Sequence, residues 1–186
     1  MHEQLGNILR QLKSAETHLR RVAHDTPDAR WAVRRDPERW SVAECVAHLN
    51  LTGRAYVPLL RAGLDDARAL GTPAPRRYRR DPVGWLVART TGSLLGVGKL
   101  RFGRMRTVPA FVPTGDLARE PLVAEFERLQ SEQMSLVEQG DGLPLHAVRV
   151  VSPFDPRVHY NLYACMTMLA PHQERHLTQA ERVWAS

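Results

Sequence analysis

Pro171-His172-Gln173-Glu174-Arg175-His176-Leu177-Thr178-Gln179 is the stretch that decides how this chain is read. Between Tyr160 and Trp184, the residues Leu162, Cys165, Leu169, His172, His176, Gln179 and Val183 recur at alternating intervals of three and four. That is the seam by which a helix packs against other helices. Both histidines stand where leucine is expected. An imidazole in such a seam needs a partner or costs about 1–3 kcal/mol, and residues four apart lie one above the other on a single helix face. Two stacked imidazoles directed into a bundle point to a bound metal.

The intervening residues narrow the kind of site. A zinc protease carries its base in His-Glu-x-x-His, next to the first ligand, but here Gln173 holds that place and the glutamate is Glu174. Glu174 is two residues from each histidine and projects roughly 160–200° away from them at about 100° per residue, so it cannot be the base. A di-iron carboxylate bundle needs Glu-x-x-His pairs on two helices, and the sequence has none. A two-histidine helix in need of a third ligand remains.

The best third ligand lies near the start of an earlier helix. Ser41 with Glu44 three residues on forms a capping box. Val42, Cys45, Leu49, Thr52, Tyr56 and Leu59 follow as its seam, with His48 on the flank one turn after Glu44. Glu44 shares His48's face and is the rival ligand, but capping already accounts for it. Pro58 is expected to kink this helix, which should fade by Gly71.

Two further helices complete the pattern, and the histidine helix is the fourth. The first runs from about Glu3 to His24 on the stripe Leu5, Ile8, Leu12, Ala15, Leu19 and Val22. His18 and His24 read as rim or surface histidines. Residues 25–40 read as a loop. The third helix runs from about Glu120 to Gln139 and is stopped by Gly140-Asp141-Gly142. Residues 140–157 form a loop in which Val148, Val150 and Val151 are briefly extended, flanked by the weaker ligand candidates His146 and His159. The fourth helix should start after Asp155-Pro156 and be kinked by Pro171.

A basic crossover, at about 72–114, joins the second and third helices. It carries Arg76, Arg77, Arg79, Arg80, Arg89, Lys99, Arg101, Arg104 and Arg106 against one acid, Asp81. Asp81-Pro82 can open a short helix through Val83, Trp85, Leu86, Val87 and Leu94; Trp85, Leu86 and Leu94 are expected to pack on the bundle while the arginines stay outside. Gly92 to Leu100 has the wrong spacing for a phosphate loop, with Leu100 where Ser or Thr is required. Tyr78, Trp85 and Phe102 among the arginines make a nucleic-acid surface conceivable, but a solvated loop with an apolar anchor is favoured. An intermediate reading has arginines such as Arg101 and Arg104 hold the carboxylates of an anionic small molecule beside the metal.

Four amphipathic helices of this width close as an all-α four-helix bundle. The long crossover spans a bundle's length, so the second and third helices can run parallel. At 186 residues the chain reads as one domain over 1–186. Cys45 and Cys165 lie in apolar helical contexts and read as reduced, buried thiols of a cytoplasmic protein. Neither a signal peptide nor an apolar membrane span is legible. The formal charge of +6 is almost wholly arginine, with Lys13 and Lys99 the only lysines; a GC-rich genome produces the same bias, so the charge weighs little.

Trp40-Ser41-Val42-Ala43-Glu44-Cys45-Val46-Ala47-His48-Leu49, taken with His172-Gln173-Glu174-Arg175-His176-Leu177-Thr178-Gln179, resembles the DinB/YfiT-like superfamily across all four helices. The resemblance implies a four-helix bundle, often a homodimer, with zinc or nickel held by three histidines, here His48, His172 and His176. It also implies an activity among thiol S-transferases that use bacillithiol or mycothiol, a mycothiol-dependent maleylpyruvate isomerase, and metal-dependent hydrolases.

Three functions follow. A three-histidine cation with an open position can bind a low-molecular-weight thiol as thiolate for transfer to an electrophile. The same position can carry a water of lowered pKa for hydrolysis. A non-catalytic, metal- or ligand-binding dimeric bundle is the third. The lack of a carboxylate placed as general base favours the thiol transferase over the hydrolase. Gln179, one turn beyond His176, is the expected support for the ligands.

Overall fold

A computed structural model describes residues 1–92, 108–115 and 117–185. Its helices are α1 (Glu3–Asp25), α2 (Asp28–Trp31), α3 (Val42–Ala69), α4 (Pro82–Gly92), α5 (Arg119–Gln139) and α6 (Leu162–Ala185), with a 3-10 turn at Pro109–Phe111. The strands β1 (Arg149–Val151) and β2 (His159–Asn161) pair antiparallel, with Val150 opposite Tyr160.

The long helices α1, α3, α5 and α6 form the expected bundle, in the ring order α1–α5–α3–α6. Cross-helix pairs give their directions. Arg54 meets Glu125, Arg61 meets Glu132 and Arg68 meets Gln139, a constant offset that repeats every seven residues, so α3 and α5 run parallel. α1 and α6 are also parallel, through Gln4 with Tyr163 and Arg21 with Glu181. Leu12 with Gln130 and Arg20 with Glu127 set α1 against α5. The topology is up-down-down-up, which the long crossover makes possible. The exposed ion pairs along these seams fix register more than they stabilise.

The bundle core is in two parts. One apolar cluster gathers Leu5, Leu12, Leu60, Leu64, Met166 and Leu169; the other gathers Ala15, Leu19, Val46, Leu49, Phe126 and Leu177. A polar layer separates them. On one side of it, Gln173 and Gln130 exchange amide hydrogen bonds of 2.9 and 2.7 Å, Gln173 reaches Gln133 at 3.3 Å, and Gln130 donates to the Leu12 carbonyl at 2.6 Å. The residue that departs from the protease motif is thus a buried structural amide. Gln173→Leu is expected to leave the amides of Gln130 and Gln133 short of partners and to cost about 1–3 kcal/mol, read as a lower midpoint in urea unfolding; an unchanged midpoint would show that this layer is not structural.

Several sequence expectations need correction. The loop over 25–40 contains α2, whose Trp31 is buried and donates to the Leu117 carbonyl at 2.7 Å. The fourth helix begins after Asp155-Pro156 but not directly after it, only at Leu162. Residues 159–161 pair with β1 instead, and the Asn161 side chain accepts from the Ala164 amide at 2.8 Å, acting as the helix cap. Trp85 and Leu86 do not pack on the bundle: they are 51% and 56% exposed. α4 approaches α6 so closely that a Cβ on Gly84 would lie 2.4 Å from the Ala164 Cβ, so the inward face belongs to Gly84, Val87 and Ala88. Counting bulky apolar residues misled because only glycine fits that approach. The arginines from Arg76 to Arg80, and Arg89, are exposed as expected. Leu94, the Gly92–Leu100 phosphate-loop comparison beyond Gly92, Phe102, Arg101 and Arg104 lie outside the described residues.

Cys45 and Cys165 are free and fully buried, and burial pushes both thiols up. Among the described residues, no helix is long and apolar enough to cross a membrane.

Candidate metal centre

The first turns of α3 place His48. The Glu44 amide donates to Ser41 Oγ at 3.2 Å and the Ser41 amide donates to Glu44 Oε2 at 2.8 Å, closing the capping box. Arg34 then clasps the same carboxylate with Nε, at 3.0 and 2.8 Å from its two oxygens. Both oxygens of Glu44 are therefore committed to the helix start. One turn further, His48 is 3% exposed and its Nδ1 lies 2.8 Å from the Phe111 carbonyl. A carbonyl only accepts, so Nδ1 carries the proton and Nε2 keeps its lone pair.

α6 brings up the other two rings. Ring centroids are 4.7 Å apart for His172 and His176, 4.5 Å for His48 and His176, and 5.3 Å for His48 and His172. One nitrogen from each ring lies within 4.8 Å of the others. A tetrahedral zinc with bonds of about 2.1 Å holds its donors about 3.4 Å apart, a distance these rings reach by modest rotation. His176 also has a buried Nδ1 with no hydrogen-bond partner, an orphan that an apolar seam does not tolerate without cost. Three imidazoles suit a first-row transition metal such as zinc, copper, iron or nickel rather than magnesium or calcium. The donor set fits a divalent transition metal.

Electrostatics keeps the lone pairs available. Burial, then the neighbouring His48, then Arg175 hold the His172 pKa down at about 3. Burial and the two other rings take His176 down to about 2, with Gln179 opposing through a hydrogen bond. His48 is lowered by burial and by Arg175, against the Phe111 carbonyl. All three are neutral near pH 7, as ligands must be.

The cluster has aromatic walls. The Trp40 ring lies 4.9 Å from His48 and 5.9 Å from His176, nearly parallel to the latter, and Phe154 lies 6.2 Å from His172 and 4.5 Å from Phe111. Among the described residues no carboxylate joins the three histidines.

The sequence pattern of the DinB superfamily matches residues 11–180. The chain belongs to the DinB superfamily. No curated protein and no solved structure matches it.

In this DinB protein the other histidines stand apart from the cluster. His146 faces Tyr78 at 6.3 Å, His159 is exposed in β2, and His24 is exposed beside Asp25. Gln179 lies one turn beyond His176 on α6 and acts to raise the pKa of that ring. Arg175, Phe111 and Phe154 were not singled out from sequence. Arg175 lies within the motif, but its influence on all three rings depends on how the helices meet. Phe111 and Phe154 come from loops whose positions no periodicity encodes.

Glu174 points away from the cluster, as its spacing required, and meets His18 of α1: Nδ1 to Oε2 is 2.6 Å, while His18 Nε2 is 3.1 Å from Glu181, which also holds Arg21. The Glu174 hydrogen bond raises the His18 pKa, against burial. A raised pKa stabilises the fold fully below the unfolded value of about 6.5 and loses that contribution as pH rises through the folded value. The stability difference between wild type and His18→Gln is therefore expected to be larger at pH 5.5 than at pH 8.5 in urea unfolding. An equal difference at both would remove the charged form of His18 from the account.

Proposed function

We propose that this protein is a divalent-metal-dependent thiol S-transferase, with His48, His172 and His176 as ligands of zinc or nickel and a low-molecular-weight thiol of the mycothiol or bacillithiol type as cosubstrate. The convergence of three neutral imidazoles, one buried and two half-buried, with no carboxylate among them carries the reading. A cation held by three protein ligands supplies Lewis acidity at an open position and lowers the pKa of a thiol or water there.

The chain's own residues provide the rest. The Phe111 carbonyl orients His48 and makes its Nε2 more basic. Gln179, one turn beyond His176, is assigned the support of that ring in this proposal. Arg175, whose charge is felt at all three rings, favours an anion at the centre, as a thiolate is. Trp40, Phe111 and Phe154 exclude water from one side of the rings and offer apolar contact to an electrophile. Proton removal from a thiol of lowered pKa needs no resident base, whereas hydrolysis is helped by one. A homodimer in the cytoplasm, whose histidine centre acts on a small molecule and not on nucleic acid, belongs to the same proposal.

The test is thiol consumption by zinc- or nickel-loaded protein, with mycothiol or bacillithiol and a panel of electrophiles. Metal-dependent turnover with either thiol supports the reading. Turnover of esters or amides without any thiol contradicts it in favour of the hydrolase, and no turnover from fully loaded protein favours the non-catalytic bundle.

A further inference from the structure

A second candidate site lies on another face of the bundle, between the N-terminal half of α1, residues 76–80, and the face of α6 that carries Tyr163, Thr167 and Pro171. Two adjoining clefts meet there, the larger of about 840 Å³. They share Gln4, Arg77, Arg80 and Tyr163. The larger adds Arg10 and Arg76, the smaller Arg79 and Trp85.

Among the described residues, several arginines elsewhere on the chain are paired, unlike those here. Arg20 and Arg21 of α1, Arg54 and Arg61 of α3, and Arg119 and Arg128 of α5 each sit beside a carboxylate. Arg10, Arg76, Arg77, Arg79 and Arg80 have no carboxylate partner among the described residues. Among the described residues, Glu3 is the one acid lining either cleft.

The arginine segment is not a loose loop. The Tyr78 amide donates to Gln4 Oε1 at 2.7 Å, Gln4 Nε2 donates to the Tyr78 carbonyl at 3.2 Å, and Asn161 Nδ2 donates to the Arg79 carbonyl at 2.8 Å. The Tyr78 side chain is buried, stacked on Tyr163 at 5.0 Å, with its hydroxyl donating to the Leu143 carbonyl at 2.7 Å. The chain is thus pinned at its centre, and the guanidinium groups on either side of Tyr78 start from a fixed backbone. Ordering the backbone in advance removes one of the costs of binding.

Planar guanidinium forks match phosphate oxygens two at a time. At the edge of the smaller cleft, Trp85 is 51% exposed, and the Arg89 guanidinium carbon lies 5.5 Å from its ring centroid. Arginines beside an exposed indole are the components of a phosphate-plus-base site. We infer that this cleft binds a nucleotide-type anion, with phosphates on Arg10, Arg77 and Arg80 and a flat base on Trp85. A free nucleotide and a single-stranded nucleic acid share this chemistry. The inference stands independently of the metal centre.

The experiment is calorimetric titration of the full chain at low ionic strength with ADP, inorganic pyrophosphate and a ten-nucleotide oligo(dT). Saturable binding of ADP is expected, weakened at least about tenfold by the paired changes Arg77→Ala and Arg80→Ala, as loss of two charge-assisted contacts implies. Trp85→Ala is expected to weaken ADP by about five- to a hundredfold while leaving pyrophosphate unchanged. Tighter binding of oligo(dT) than of ADP, with the same arginine dependence, identifies the polymer as the source; the reverse order identifies the free nucleotide. Both support the site. No saturable binding of any probe overturns it, as does equal binding by an arginine variant with an unchanged melting curve. So does binding that vanishes in His172→Ala, which would place the anion at the histidines. Equal weakening of ADP and pyrophosphate by Trp85→Ala would remove the base from the assignment.

Discussion

His176→Ala is expected to yield a folded, helical protein that no longer retains metal. The two apolar clusters of the bundle do not include His176, and helices in proteins owe most of their stability to such packing. The change also deletes a buried nitrogen that has no hydrogen-bond partner. It removes one of three candidate ligands and leaves a cation with too few donors, so metal content after dialysis should fall close to zero, and thiol transfer with it. Gln179→Leu touches only the support of His176 and should weaken affinity within roughly 10–100-fold. Metal analysis and circular dichroism on the two purified variants check both statements. A His176→Ala protein that keeps its metal, or unfolds, would contradict them.

Glu44→Ala is expected to do the reverse, lowering stability while leaving a metal-competent cluster. The change removes the acceptor of the buried Ser41 amide and strips Arg34 of its partner. Loss of a cap costs about 0.5–2 kcal/mol, and an unsatisfied buried donor about 1–3 kcal/mol. Because the two overlap and Arg34 is 43% exposed, about 2–3 kcal/mol in total is expected. Burial disfavours the Glu44 charge, but Arg34 and Ser41 outweigh it and the pKa is lowered. A lowered pKa contributes stability above the unfolded value near 4 and loses it as pH falls through the folded value. The wild-type advantage over Glu44→Ala in urea unfolding should therefore be present at pH 7 and shrink in acid below about pH 4. Glu44→Ala protein of normal stability that fails to load metal would make Glu44 a ligand and not a cap.

The bundle was legible because its four seams repeat by three and four, and that repeat is local. His172 and His176 were legible for the same reason, because polar residues interrupting an apolar stripe register against it, whereas His48 lies on the flank of its seam and was reached as the best third ligand and through the family resemblance. What lay beyond sequence was set by close approach and by loops. The burial of Gly84 beneath Ala164, which turns Trp85 outward, depends on a distance between α4 and α6 that neither helix encodes alone. The β1–β2 hairpin delays the start of α6 because three residues per strand carry too little alternation to read. The Phe111 carbonyl on His48 is a backbone group, silent in any side-chain pattern. His18 read as a rim residue because its partners, Glu174 and Glu181, come from the far end of the chain.

The central claim is that three histidines hold one cation whose open position takes a thiol. Its most direct test is cobalt substitution followed by visible and near-ultraviolet absorption. The account predicts one cobalt per chain, a ligand-field spectrum of low coordination number, and a new thiolate-to-cobalt charge-transfer band when mycothiol or bacillithiol is added, all absent from His176→Ala. Stoichiometric cobalt whose spectrum is unmoved by either thiol, or the same spectrum in His176→Ala, would contradict it.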